Sequence, residues 1–156
     1  MRSTPANPRF APVLGLVVAI TLVGVGGCGS GSGTLATAGR FNATVQAAGA
    51  VGGTVAMASV AHVNWDRGVF GCPSDSVKDL TAALRARWAG APATLGAAAY
   101  VLFARSGAVV DAIRLDRAAI DPCAGGAPLP ARTFGPASDF AVRRGAAGGW
   151  VLSRAD

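Results

Sequence analysis

Three cysteines, Cys28, Cys72 and Cys123, are the side chains of this 156-residue chain with the most reactive chemistry to offer. Thiols form disulfides, bind metal ions and act as nucleophiles, and an odd number leaves one thiol over when the other two pair. Cys28 has distinctive surroundings, because it stands between an apolar run and the Gly/Ser-rich stretch GSGSG. The role of each cysteine therefore depends on the segment that carries it.

The N-terminal segment is typical of a signal for export. It opens with MRSTPANPRF, which has two arginines and no acid, and continues with uncharged APVLGLVVAITLVGV over 11–25. A basic start followed by a short apolar run is the pattern of a secretory signal peptide. A membrane-spanning helix needs about 20 apolar residues, and Pro12, Gly15 and Gly24 interrupt this run. We therefore expect a signal peptide, with an uncleaved membrane anchor over 10–27 as the alternative.

The end of the apolar run, Val25-Gly26-Gly27-Cys28, resembles the lipobox of bacterial lipoproteins. In that family an aliphatic residue and two small residues precede a cysteine whose thiol receives a diacylglyceryl group, and a peptidase then cuts before it. The resemblance implies cleavage between Gly27 and Cys28, which makes residues 1–27 a lipoprotein signal peptide and Cys28 the lipid attachment site. Two acyl chains anchor a protein stably, because each buried CH₂ contributes about 0.8 kcal/mol. It also implies a location on the extracytoplasmic side of the cell membrane.

The stretch that follows, GSGSGTLATAG, is small, uncharged and rich in glycine. Such a composition is typical of a flexible linker. We therefore expect residues 28–40 to be a tether and residues 41–156 to form a single compact extracytoplasmic domain. A domain of that length can bury a core of its own.

A lipid on Cys28 would leave Cys72 and Cys123 as one pair. In an oxidising compartment we expect them to form a disulfide, closing a loop of about 50 residues. The alternative is a reactive thiol or a metal ligand at Cys72. For that role the chain offers only His62 nearby and no second cysteine at short spacing.

Catalytic motifs are missing from the sequence. It contains no HExxH, GxSxG, GxxxxGK[ST], SxxK or CxxC pattern and no glutamate, so we predict no catalytic residue, metal or cofactor. His62 with a serine or aspartate would still permit a hydrolytic site. Asp111, Asp116 and Asp121 are evenly spaced, but they lack the alternating oxygen donors of a calcium loop. We interpret these aspartates as solvated turn residues.

One segment is typical of an amphipathic helix. Apolar side chains recur at helical spacing between residues 77 and 88, which gives the segment one apolar face. Ser76 is a candidate N-cap with Asp79 three residues later, an arrangement similar to a capping box. The pattern predicts one main helix over about 76–89.

The remaining segments favour strands. Partial alternation predicts an extended strand across 54–65, and two hairpins are expected over 100–115 and 139–154. Together with the helix they predict an α+β fold, a small antiparallel sheet of about four to six strands with the helix packed on it. The aromatic residues expected to form or border the core are Trp65, Trp88, Tyr100, Phe103, Phe140 and Trp150.

The formal net charge is +6, with arginine far commoner than lysine. Arg143-Arg144 and the pair Arg85 and Arg87 could attract anionic lipid headgroups or cell-wall phosphates, although solvated arginines are the simpler interpretation. An extracytoplasmic location argues against a nucleic-acid partner. We expect a lipid-anchored envelope protein with a non-catalytic domain that binds an envelope protein, a cell-wall polymer or a lipid. The alternatives are a small hydrolase or accessory enzyme using His62, and a lipid carrier with a large apolar cavity.

Overall fold

A computed structural model describes the backbone of residues 31–155 and the side chains from residue 38 onward. The predicted cleavage site Gly27 and lipid site Cys28 lie outside the described residues. Two helices and eight strands confirm the α+β class. The elements are α1 (Gly31–Ala50), β1 (Thr54–Ala56), β2 (Arg67–Gly71), α2 (Val77–Leu84), β3 (Ala99–Arg105), β4 (Ala108–Leu115), β5 (Ile120–Asp121), β6 (Thr133–Phe134), β7 (Asp139–Arg144) and β8 (Trp150–Arg154), with short 3₁₀ helices at Met57–Ser59 and Leu129–Arg132.

The strands form two four-stranded sheets. Sheet I has the order β4-β3-β2-β6 and is antiparallel throughout. Sheet II has the order β1-β7-β8-β5 and is antiparallel except where β5 runs parallel to β8. Both predicted hairpins are confirmed, as β3–β4 and β7–β8. Two sheets form instead of one because β1 and β5 pair with the β7–β8 hairpin, whereas β2 pairs with the β3–β4 hairpin.

Helix α2 begins where the sequence predicts. The Ser76 hydroxyl accepts a hydrogen bond from the Asp79 N–H at 3.0 Å and donates one to its carboxylate at 2.7 Å, which confirms the cap. The helix ends before the predicted position 89, because Arg85 adopts a left-handed conformation (φ 50°, ψ 43°). At Arg87 the chain is already extended and forms a bridge with the first residue of β4.

Helix α1 corrects the predicted tether. Residues 31–40 are helical, and the predicted boundary between residues 40 and 41 falls inside the helix. Phe41 and Val45, four residues apart on one face, are completely buried. Glycine, serine and threonine are weak helix formers, so packing of this face stabilises the helix more than intrinsic propensity does.

The extended strand predicted across residues 54–65 is wrong beyond β1. The chain leaves β1 in the 3₁₀ helix that starts at Met57, whose N–H donates to the Ser138 carbonyl at 3.0 Å. Met57 and Val60 are both completely buried. A helical turn, and not an extended strand, therefore brings these two apolar side chains to the core.

Two apolar layers hold the fold together. The larger lies between the two sheets and includes the buried residues of α1, and the smaller lies between the outer face of sheet I and α2. The predicted core aromatics are confirmed, since Phe103 and Phe140 are buried and the other four pack against one of the layers. Between the sheets, Phe70, Phe103, Phe134 and Phe140 form edge-on or tilted contacts with ring centroids 4.8–6.1 Å apart.

Candidate functional site

Cys72 and Cys123 form the predicted disulfide, with Sγ–Sγ 2.05 Å and Cα–Cα 5.8 Å. Cys72 directly follows β2 of sheet I, whereas Cys123 follows β5 of sheet II. The bond therefore joins the two sheets. Both sulfur atoms are used in it, so the alternative of a reactive thiol or metal ligand at Cys72 does not hold.

Beside the disulfide lies a buried ion pair that no sequence motif indicated. Two guanidinium nitrogens of Arg132 donate to the two carboxylate oxygens of Asp75, each at 2.7 Å, and both side chains are only 8% exposed. Arg132 also donates to the Phe70 carbonyl at 3.1 Å, and the Cys72 N–H donates to Asp75 at 2.6 Å. The pair thus fixes the 3₁₀ helix before β6 to the end of β2 and the start of α2.

This setting lowers the pKa of Asp75. Burial by itself would raise that pKa, but hydrogen bonds from Arg132 and from the Cys72 N–H, together with the guanidinium charge, outweigh it. Of the described side-chain atoms, Arg132 Nε is one of two that are buried without a hydrogen-bond partner. Because both side chains are largely buried and bond to each other, we assign the pair a structural role.

An open cleft of about 490 Å³ lies between the end of α2, the edge strand β6 and the end of β8. Three arginines from separate elements line it. Arg67 starts β2, Arg85 follows α2, and Arg154 ends β8. Asp66 is the only acidic residue among the described residues that line it. We call it the arginine cleft.

Neutral acceptors hold two of these guanidinium groups in place. Arg67 Nη1 donates at 3.2 Å to the carbonyl of Leu84, the last residue of α2. Arg154 donates at 3.4 Å to the carbonyl at the start of β6 and at 3.3 Å to the Ser138 hydroxyl. A guanidinium carries five N–H donors, so each group keeps several for a ligand.

The charge of the cleft is not neutralised within the part of the chain that the structure describes. None of Arg67, Arg85 and Arg154 forms a salt bridge with another described residue. Asp66 is exposed, and its carboxylate accepts a hydrogen bond from the Ser106 N–H at 3.3 Å. Three cations therefore face one acid.

Arg85 occupies a backbone position that favours glycine. Its N–H donates to the Ala82 carbonyl at 3.1 Å in a left-handed helix end, where glycine is common because it has no Cβ. A non-glycine residue in this conformation costs roughly 1–2 kcal/mol. The chain nevertheless has a long cationic side chain here, and it is exposed.

The other candidate residues lie apart from this cleft. His62 is exposed on a bend after the first 3₁₀ helix, and no described side chain hydrogen-bonds to it. Asp111 is buried in β4, which corrects its interpretation as a turn residue, and its Oδ2 is the second buried atom without a partner. Asp116 caps a turn through the Ala118 N–H at 3.0 Å, and Asp121 pairs with Arg117.

Among residues 31–155, no group of three or more histidine, cysteine or acidic side chains is arranged to hold a metal ion. No helix within that range is long and apolar enough to cross a membrane. No protein family, curated protein or solved structure matches this chain.

Proposed function

We propose that this chain is a lipid-anchored lipoprotein of the bacterial cell envelope whose extracytoplasmic domain binds a partner. The pairing of the cysteines carries the proposal. Cys72 and Cys123 are bonded to each other, which leaves Cys28 at the end of the apolar run, in the lipobox-like stretch. A disulfide between the two sheets also suits a protein that folds in an oxidising compartment.

The start of α1 adds a geometric consequence. Gly31 is three residues after Cys28 in the sequence, and an extended chain spans at most about 3.6 Å per residue. A lipid on Cys28 would then sit within roughly 11 Å of the first helical residue. The domain is therefore expected to stay close to the membrane surface, whereas a long flexible tether would let it move further away.

The arginine cleft favours binding over catalysis as the task of this domain. Arg67, Arg85 and Arg154 bring positive charge and N–H donors to its lining. Their guanidinium groups suit a ligand that is held through charge and hydrogen bonds. The cleft is open to solvent and is lined mainly by polar surface, which suits a ligand that enters and leaves.

Intact mass spectrometry of the protein extracted from membranes tests the anchor, with wild type compared with Cys28→Ser. Wild type is expected to lack residues 1–27, to carry acyl groups, and to gain two hydrogens on reduction of its one disulfide. The Cys28→Ser protein is expected to keep residues 1–27 and to carry no acyl group, while gaining the same two hydrogens. A wild-type mass that keeps residues 1–27 without acyl groups would overturn the proposal and indicate an uncleaved anchor.

A further inference from the structure

We propose that the arginine cleft is a binding site for a phosphate group. The source of the ligand rests on the proposed function, because a domain anchored in the cell envelope lies within reach of envelope phosphates. The binding itself depends only on Arg67, Arg85 and Arg154, which come from β2, the end of α2 and β8. A phosphate monoester carries about −1.5 to −2 charge at pH 7, close to the excess of two cations in the cleft.

Phosphate fits this arrangement better than a carboxylate. One planar guanidinium fork satisfies both oxygens of a carboxylate, as Arg132 does with Asp75. A phosphate presents several oxygens in a tetrahedron and can accept donors from more than one direction. The cleft arginines come from three separate elements, so they can donate to such an anion from more than one direction.

The site is partly organised before a ligand arrives. Arg67 and Arg154 are already oriented by the Leu84 carbonyl and the Ser138 hydroxyl, so less side-chain freedom is lost on binding. Arg85 is exposed and has no salt bridge to another described residue, which leaves its guanidinium available. A volume of about 490 Å³ leaves space for the organic group that the phosphate carries.

The backbone conformation of Arg85 allows a variant that removes its charge without destabilising the domain. Arg85→Gly removes one cation and also relieves the left-handed backbone, so the domain should not lose thermal stability. Arg154→Gln removes a second cation on a different element. Arg143→Gln is the matched control, because Arg143 is exposed on β7 and lies outside the lining of the cleft.

The test is calorimetric titration of the protein extracted from membranes, held in phosphatidylcholine nanodiscs at low salt, with glycerol 3-phosphate. Saturable binding is expected, weakened about fivefold by Arg85→Gly and again by Arg154→Gln, since a cation near an anionic group contributes about 1 kcal/mol. Arg143→Gln should bind like wild type. The proposal is overturned if wild type does not bind glycerol 3-phosphate, or if Arg143→Gln weakens binding as much as Arg85→Gly does.

A second set of nanodiscs containing phosphatidylglycerol identifies the source of the phosphate. If lipid headgroups fill the cleft, wild type in these discs should show markedly weaker binding of glycerol 3-phosphate, whereas unchanged affinity would assign the site to phosphate groups outside the bilayer. Both results support a phosphate site. The mass of the same preparation shows separately whether Cys28 carries the lipid. If it does not, the apolar N-terminal run would still hold the uncleaved chain in the disc, so the binding test remains valid.

Discussion

Replacing Arg132 with methionine should lower the free energy of unfolding by about 3 kcal/mol. Methionine keeps the apolar part of the side chain but removes both bonds to Asp75 and the bond to the Phe70 carbonyl. The carboxylate would stay buried with the Cys72 N–H as its only hydrogen-bond donor. Removing one partner of a buried pair typically costs about 3–5 kcal/mol. We expect the lower end, because Asp75 also lines a surface cleft through which water can reach it.

Urea unfolding at neutral pH, followed by tryptophan fluorescence, measures this loss, which corresponds to a fall in Tm of roughly 10 °C. Arg117→Met is the matched control, because it breaks the pair of Arg117 with Asp121, in which the arginine side chain is 39% exposed. Exposed pairs contribute at most about 1 kcal/mol, so this variant should change little. Equal losses in the two variants, or a loss below about 1 kcal/mol in Arg132→Met, would refute the argument from burial.

Two further predictions concern the same region. Because the folded pKa of Asp75 lies below its unfolded value near 4, its contribution to stability is complete above about pH 4 and is lost as the pH falls through the folded value. Unfolding midpoints measured from neutral to acidic pH should therefore fall less steeply in Asp75→Asn than in wild type, and parallel curves would contradict the pKa shift. Gly68→Ala should destabilise the domain by about 2 kcal/mol, because its Cβ would clash with the ring of Phe134 inside the sheet. Gly135→Ala is the control, with nothing within 4 Å of the added Cβ, and a similar urea midpoint for the two variants would argue against the clash.

Local signals in the sequence predicted the elements that they specify. Helix α2 was located from its cap, since the bonds between Ser76 and Asp79 form within four consecutive residues. The β3–β4 hairpin is likewise closed by neighbouring residues, since Ser106 and Gly107 in its turn both adopt positive φ. Such features depend on neighbouring residues and can be recognised without knowledge of the rest of the fold.

Helix α1 could not be predicted because its stability comes from distant residues. Of its described side chains, Phe41 and Val45 are the two that are completely buried. The glycine, serine and threonine residues of the segment have weak helix propensity. Its packing partners, β1, β4, β7 and β8, follow it by several to more than a hundred residues. In isolation, residues 31–40 have the composition of a linker.

The arginine cleft escaped prediction for a related reason. Arg67, Arg85 and Arg154 are 18 and 69 residues apart in sequence, and only Arg85 had been considered as a cation that attracts anions. The fold brings them together because α2 ends beside the start of β2, while β8 ends beside β6. The left-handed conformation of Arg85 could not be recognised from the sequence either, because it depends on the residue at which α2 ends.

The pairing of β1 with β7 has a consequence for a chain that emerges N-terminus first. Sheet I uses only residues 67–134, so it can assemble while the C-terminal hairpin is still to come. Helix α1 and β1 are made earliest, yet they must wait for β7 and β8 before sheet II and the layer beneath α1 can close. Until then the apolar face around Phe41 can pack on β4 of sheet I but lacks its contacts with β7 and β8. During biogenesis, the part of that face that meets sheet II is therefore the last of the larger apolar layer to be covered.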